Sequence, residues 1–152
     1  MPKQLTEHFT LQEMVISQTA ARMGIDNTPT PEILKNLRIM AAKLEEIRSL
    51  LGVPVLVSSG YRCPALNKAV GGSKGSAHML GLAADITAPS FGTVLQTARK
   101  IAASGIEYDQ LIYEFDSWVH IGLSGGAPRR ENLSIFQGTG YLRGLMSKPP
   151  QT

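Results

Sequence analysis

Only one cysteine, Cys63, and one tryptophan, Trp118, occur in a chain of 152 residues. A single thiol excludes an internal disulfide framework and every cysteine-rich zinc site. With no base identifiable beside it, Cys63 reads as a small, partly buried side chain rather than a nucleophile. No apolar run approaches the roughly 18 residues of a membrane span, so no membrane insertion is expected. Residues 1–9 also lack the apolar stretch of a secretory signal. The expectation is a protein made in the cytoplasm without a signal peptide. Basic excess is small, with a formal charge of +3 and a pI of about 9.2. It is scattered, and no Lys/Arg cluster alternates with aromatics, so no nucleic-acid partner is expected. A mildly positive surface also suits an anionic polymer such as a cell wall.

What is present is an ordinary globular mixture, 43% hydrophobic and 18% charged, enough for one domain around one core. Residues 1–142 are expected to form it, with 143–152 as a flexible tail. Thr10-Leu11-Gln12-Glu13 is a capping box ahead of an apolar stretch through Met23, with Gly24 as its stop. Residues 27–29 read as a linker. Thr30-Pro31 opens the strongest helix signal, in which Ile33, Leu37, Met40, Leu44, Ile47 and Leu51 form one stripe before Gly52. Residues 53–57 read as a short buried strand and 64–70 as a brief helix. A glycine-rich loop at 71–75 precedes a strand at 82–87, then a helix at 93–103. Residues 110–115 and 118–123 are close enough for a hairpin. From Ser124 onward the chain is rich in glycine and proline and reads as loop. The predicted fold class is α+β: one domain, helices packed on a small, largely antiparallel sheet.

The histidines are His8, His78 and His120. His78 precedes Asp85 across Met-Leu-Gly-Leu-Ala-Ala, a loop feeding a strand, and small residues there let the backbone crowd a site. His120 lies in the apolar segment Trp118-Val119-His120-Ile121. Two imidazoles and a carboxylate, with a fourth position for water, make a catalytic zinc set. Zinc in such a set lowers the pKa of its water to about 7 and polarises a carbonyl. By spacing alone, a lone histidine in a β segment such as His120 is more often a satisfied core residue than a ligand, and Asp85 is open to capping or bonding a turn.

Ser76-x-His78-x-x-Gly81-x-Ala83-x-Asp85, followed by Trp118-Val119-His120, resembles the signature of the zinc D-Ala-D-Ala carboxypeptidases. These are the peptidase M15 family, with phage endolysin-type members and a hedgehog-like fold. Ser58-Ser59-Gly60-Tyr61-Arg62-Cys63-Pro64-x-Leu66-Asn67-x-x-Val70-Gly71-Gly72 is similar to the family's preceding segment. Phe9-Thr10-x-x-Glu13 and Asp109-Gln110-Leu111-Ile112-x-Glu114 extend the likeness. The resemblance implies one Zn2+ per chain, held by His78, Asp85 and His120. It implies that Arg62 pairs with a substrate carboxylate and that Ser76 helps at that end. A guanidinium independently offers a planar fork that matches a carboxylate. The implied protein is a monomeric metallopeptidase that hydrolyses peptidoglycan stem peptides or cross-links, as a carboxypeptidase or an endopeptidase. It would reach the wall after release, as in phage or prophage lysis.

The general base departs from the family pattern. Where better-known relatives carry a carboxylate three residues before the last histidine, this chain has Ser117. Glu114 and Asp116 are the candidate replacements, and Glu114 resembles the glutamate of phage-type relatives. If residues 116–118 form a three-residue hairpin loop, Glu114 faces His120 directly, with Cβ atoms about 4.5–5.5 Å apart. A two-residue turn instead puts Glu114 on the other face and favours Asp116. Glu114 is the preferred candidate. Ser117 also keeps a second class open, a non-catalytic zinc-containing wall-binding or phage structural module. A carboxylate within hydrogen-bond reach of the metal's water is what separates the two.

Overall fold

Local signals set the helices. In the computed structural model, which describes residues 3–150, the longest helix runs over Pro31–Leu51. The Thr30 side chain accepts from the Ile33 N–H, Pro31 opens the first turn, and Gly52 closes the last one in the left-handed conformation. Leu37, Met40, Leu44, Ile47 and Leu51 are buried along one face, as their spacing predicts, while Ile33 is half-buried. The expected single helix through Met23 is instead two short ones, α1 (Leu11–Val15) and α2 (Gln18–Met23). The break has a physical cause in Ser17. Its Oγ accepts from Ala20 N at 3.1 Å and starts a new helix, while Ile16 is extended. With Pro31–Leu51 as α3, the order continues β1 (Leu56–Ser59), α4 (Pro64–Ala69), a 3-10 turn (Ala77–Leu80), β2 (Ala83–Thr87) and α5 (Val94–Ala102). Four strands follow: β3 (Gln110–Glu114), β4 (Trp118–Gly122), β5 (Glu131–Ile135) and β6 (Leu142–Arg143).

The strands form one six-stranded sheet in the order β1-β2-β4-β3-β5-β6, antiparallel except for the parallel β3–β5 pair. The α+β class is therefore the observed one. The last two strands correct the expectation of loop beyond Ser124. Glu131-Asn-Leu-Ser-Ile is short and mixed in polarity, and its pairing comes from distant β3 rather than from a local turn. Order also extends past the expected start of the tail at 143. Gly144 N donates to Asn132 O at 2.7 Å, and Met146 N donates to Ser134 Oγ at 3.3 Å.

Side chains alternate between the two faces of the sheet. Ala84, Ile86, Leu111, Val119 and Ile121 join α3 and the α5 residues Ala98 and Ile101 in the core. The other face carries Asp85, His120 and Ile112 side by side, since Asp85 and Ile112 are both paired with His120. The hairpin between β3 and β4 corrects the expected register. Its three-residue loop is 115–117, so Glu114 pairs with Trp118, and Tyr113 rather than Phe115 pairs with Val119. Phe115 and Asp116 both adopt φ of 54°, and Ser117 N donates to Glu114 O at 2.9 Å. Two consecutive left-handed residues close the turn earlier than sequence suggested. The shift is even in parity, so Glu114 stays on the face of His120, two pairs along rather than directly opposite. Among the described residues no helix is long and apolar enough to cross a membrane.

Candidate active site

His78 is delivered by the 3-10 turn between α4 and β2. That turn ends at Gly81, whose φ is +74°. A Cβ there would also stand 3.1 Å from Ile33 on α3, so only glycine allows both the conformation and the approach. On the other side of the ring, Gly60 lies so close to the Met14 carbonyl that any side chain would collide with it. That tight passage presents the Gly60 carbonyl to His78. The oxygen lies 2.6 Å from His78 Nδ1 and can only accept, so Nδ1 carries the proton and Nε2 offers its lone pair to the site.

His78 Nε2 lies 3.2 Å and His120 Nδ1 3.0 Å from the same oxygen, Asp85 Oδ1. All three side chains are buried, and their donor atoms lie within 4.8 Å of one another. Burial raises the Asp85 pKa, but the neighbouring His120 and His78 rings outweigh it and hold the carboxyl well below the usual carboxylate range. Ligands arranged tetrahedrally at about 2.0–2.1 Å from zinc stand about 3.3 Å apart. The donor spacing and the preset His78 tautomer fit that ion. His8 takes no part, because its Nδ1 is bonded to Glu45 Oε1 at 2.8 Å.

Of the two candidate carboxylates, the fold brings one to this centre. Glu114 Oε2 lies 3.7 Å from His120 Nδ1. Burial first, and then the neighbouring Asp85, push its pKa up against the opposing pull of His120 and Arg62. Asp116 is exposed at the hairpin tip, where Oδ1 accepts from the Tyr113 hydroxyl at 2.5 Å. The Tyr113 hydroxyl, pushed up to about 12 by burial and then by Asp116, belongs to the opposite face from His120. Ser117 is also exposed, and its hydroxyl donates to the Phe115 carbonyl at 3.0 Å.

A cleft of about 590 Å³ opens over the His–Asp–His group and is bordered by Arg62, Ser76, Glu114, Trp118 and Tyr141. Arg62 is half-buried, and its Nε has no hydrogen-bond partner among the described residues. Burial lowers its pKa, while Asp85 and Glu114 work to keep its charge. Ser76 Oγ accepts from His78 N at 3.2 Å, which leaves its hydroxyl hydrogen free to donate.

Sequence reasoning missed two contributors. Asn27, read as linker, is buried and bonds the backbone beside Arg62, donating to Tyr61 O and accepting from Cys63 N. Nothing local in a linker asparagine signals this. Tyr141 comes from the glycine-rich C-terminal stretch, and an aromatic there was the only available hint. Its hydroxyl is pushed up by burial and then by Glu114 and Asp85.

No curated protein matches this sequence. The family description Peptidase M15 matches residues 7–122, a span holding Arg62, Ser76, His78, Asp85, Glu114 and His120. With most of its length matched and a buried His–Asp–His group in place, the chain belongs to the peptidase M15 family.

Proposed function

We propose that this protein is a zinc metallopeptidase that hydrolyses peptide bonds of bacterial peptidoglycan, in stem peptides or their cross-links. The observation that carries this reading is the placement of Glu114 beside His120 in the cleft that Arg62 also lines. His78, Asp85 and His120 would hold the ion. Zinc bound there would supply a water of lowered pKa and a positive charge to polarise the scissile carbonyl.

The chain's own residues then divide the remaining work. Arg62, with desolvated Nε and a head facing the cleft, pairs with a substrate carboxylate and sets the register of the peptide. Ser76 can donate its hydroxyl hydrogen at the same end. Glu114 accepts the proton of the attacking water and returns it to the amine nitrogen as the C–N bond breaks. A carboxylate with a raised pKa suits both halves of that task. The Asp85 carboxylate remains ionised throughout. The protein is proposed to be made in the cytoplasm and to act on the wall after release, in the manner of a phage or prophage lysis enzyme.

Mass analysis of muropeptides after incubation with the zinc-loaded protein tests the reading. New fragments differing from the substrate by one hydrolysed amide support it. An unchanged muropeptide profile under conditions where zinc is bound favours the wall-binding module instead.

A further inference from the structure

Two hollows meet at Arg62 and Trp118. The first is the cleft over the His–Asp–His group, about 590 Å³. The second, about 470 Å³, runs along the start of α2 and the end of β1, past Gln18, Thr19, Ser58 and Ser59. Arg62, Val70, Asp85 and Trp118 border both hollows. A site that takes the end of a chain closes behind its carboxylate anchor, because nothing of the substrate lies beyond a terminal carboxylate. Here, open space of comparable size follows the anchor.

The lining of the second hollow says what can occupy it. Among the described residues, its only charged side chains are Arg62 and Asp85, at the junction. The rest offers hydroxyls, the Gln18 amide, and apolar contacts including the exposed Ile16. Convergent uncharged donors and acceptors beside apolar patches suit backbone amides and small side chains of a peptide.

We propose that the two hollows form one open groove, and that the substrate chain passes Arg62 and continues into the second hollow. The protein then cuts within peptides. Arg62 pairs with a carboxylate carried along the chain: a side-chain carboxylate, or an α-carboxylate left free where the chain continues through a side chain. This rests on the peptidase reading above and selects endopeptidase over carboxypeptidase within it. Each cut adds one water across one C–N bond, with oxygen going to the acyl carbon and the proton to the amine nitrogen.

The single tryptophan, Trp118, borders both hollows, so its emission reports binding without turnover. Two synthetic peptides are compared, identical up to a carboxylate-bearing residue. One ends there, and the other continues for three uncharged residues. Each is titrated into zinc-loaded Glu114→Gln, with excitation selective for tryptophan. The extended peptide is expected to bind at least about tenfold more tightly, as extra pocket contacts typically allow. Gln18→Tyr in the same background, which fills the second hollow from an exposed position, is expected to abolish that difference. Equal affinities, tighter binding of the short peptide, or a difference that survives Gln18→Tyr would overturn the groove. A binding preference together with no cleavage of either peptide by the wild type would instead overturn the peptidase reading. Cleavage by the wild type without any binding preference sinks the groove alone.

Discussion

Asn27 holds Arg62 from both sides: its Nδ2 donates to Tyr61 O at 3.0 Å and its Oδ1 accepts from Cys63 N at 2.8 Å. The same Nδ2 donates to Val15 O at 2.8 Å, tying the Arg62 segment to the end of α1. An asparagine is needed because the three backbone groups require both a donor and an acceptor. Asn27→Ala is expected to cost about 1–3 kcal/mol of stability for each buried group left unpaired. It should also raise KM on a carboxylate-bearing peptide about tenfold, with a smaller change in kcat. Denaturant unfolding and steady-state kinetics check the two parts separately. An unchanged KM in a destabilised variant would show that Arg62 is positioned by other contacts.

Removing the guanidinium itself should act without the stability cost. Arg62→Ala is expected to lose about 2–5 kcal/mol of apparent transition-state binding on a substrate with a carboxylate, while zinc content stays at wild-type level. Arg62→Lys should recover only part of it, because an ammonium cannot reproduce the planar fork. Equal kinetics for wild type and Arg62→Ala would refute the pairing.

One zinc per chain is expected by elemental analysis. His78→Ala, His120→Ala and Asp85→Ala should each lower occupancy sharply, and His8→Ala should leave it intact, since His8 is engaged with Glu45. Exhaustive chelation should remove activity, and zinc should restore it. Loss of metal in His8→Ala would place the ion elsewhere.

Glu114 and Asp116 make opposite predictions. Glu114→Gln keeps its size and the metal but cannot carry the proton, so turnover should fall by at least about 10²-fold. Asp116→Asn should keep most activity, because Asp116 is bonded to Tyr113 at the exposed tip. A dead Asp116→Asn with normal zinc content would reverse the assignment.

Asp109 supplies a pH dependence away from the metal ligands. The hydrogen-bonded Arg129 guanidinium, with both Nε and Nη2 at 2.9 Å, holds its carboxyl below the usual range. A depressed folded-state pKa adds stability that is fully present above the unfolded value of about 3.9. That contribution fades as pH falls through the folded value. Wild type should therefore melt above Asp109→Asn at pH 6, and the gap should close only in acid below about pH 4. A gap that is constant down to pH 2 would mean the carboxylate charge contributes nothing.

Residue types and their spacing settle the parts that depend on neighbours within one turn or one motif. Thr30, Pro31 and Gly52 placed the ends of α3, because caps are satisfied by residues three or four positions away. The ordered family motifs, with their histidines and Asp85, identified the M15 family and the group that can hold the metal. The α+β class followed from helices preceding clustered strands. Relations between distant segments emerge only with folding. The hairpin register turned on two left-handed residues, Phe115 and Asp116, whose types do not announce that conformation. It was that register which left Glu114 beside His120 and carried Asp116 away. Strand β5 exists because β3 offers it a parallel edge, so five residues of mixed polarity acquire a place that no local periodicity marks. The bonds of Asn27 around Arg62, and the second hollow behind it, likewise arise where separate segments meet. Local hydrogen bonding is written into adjacent residues, whereas a site is assembled by long-range packing, and that assembly becomes visible only once the chain has folded.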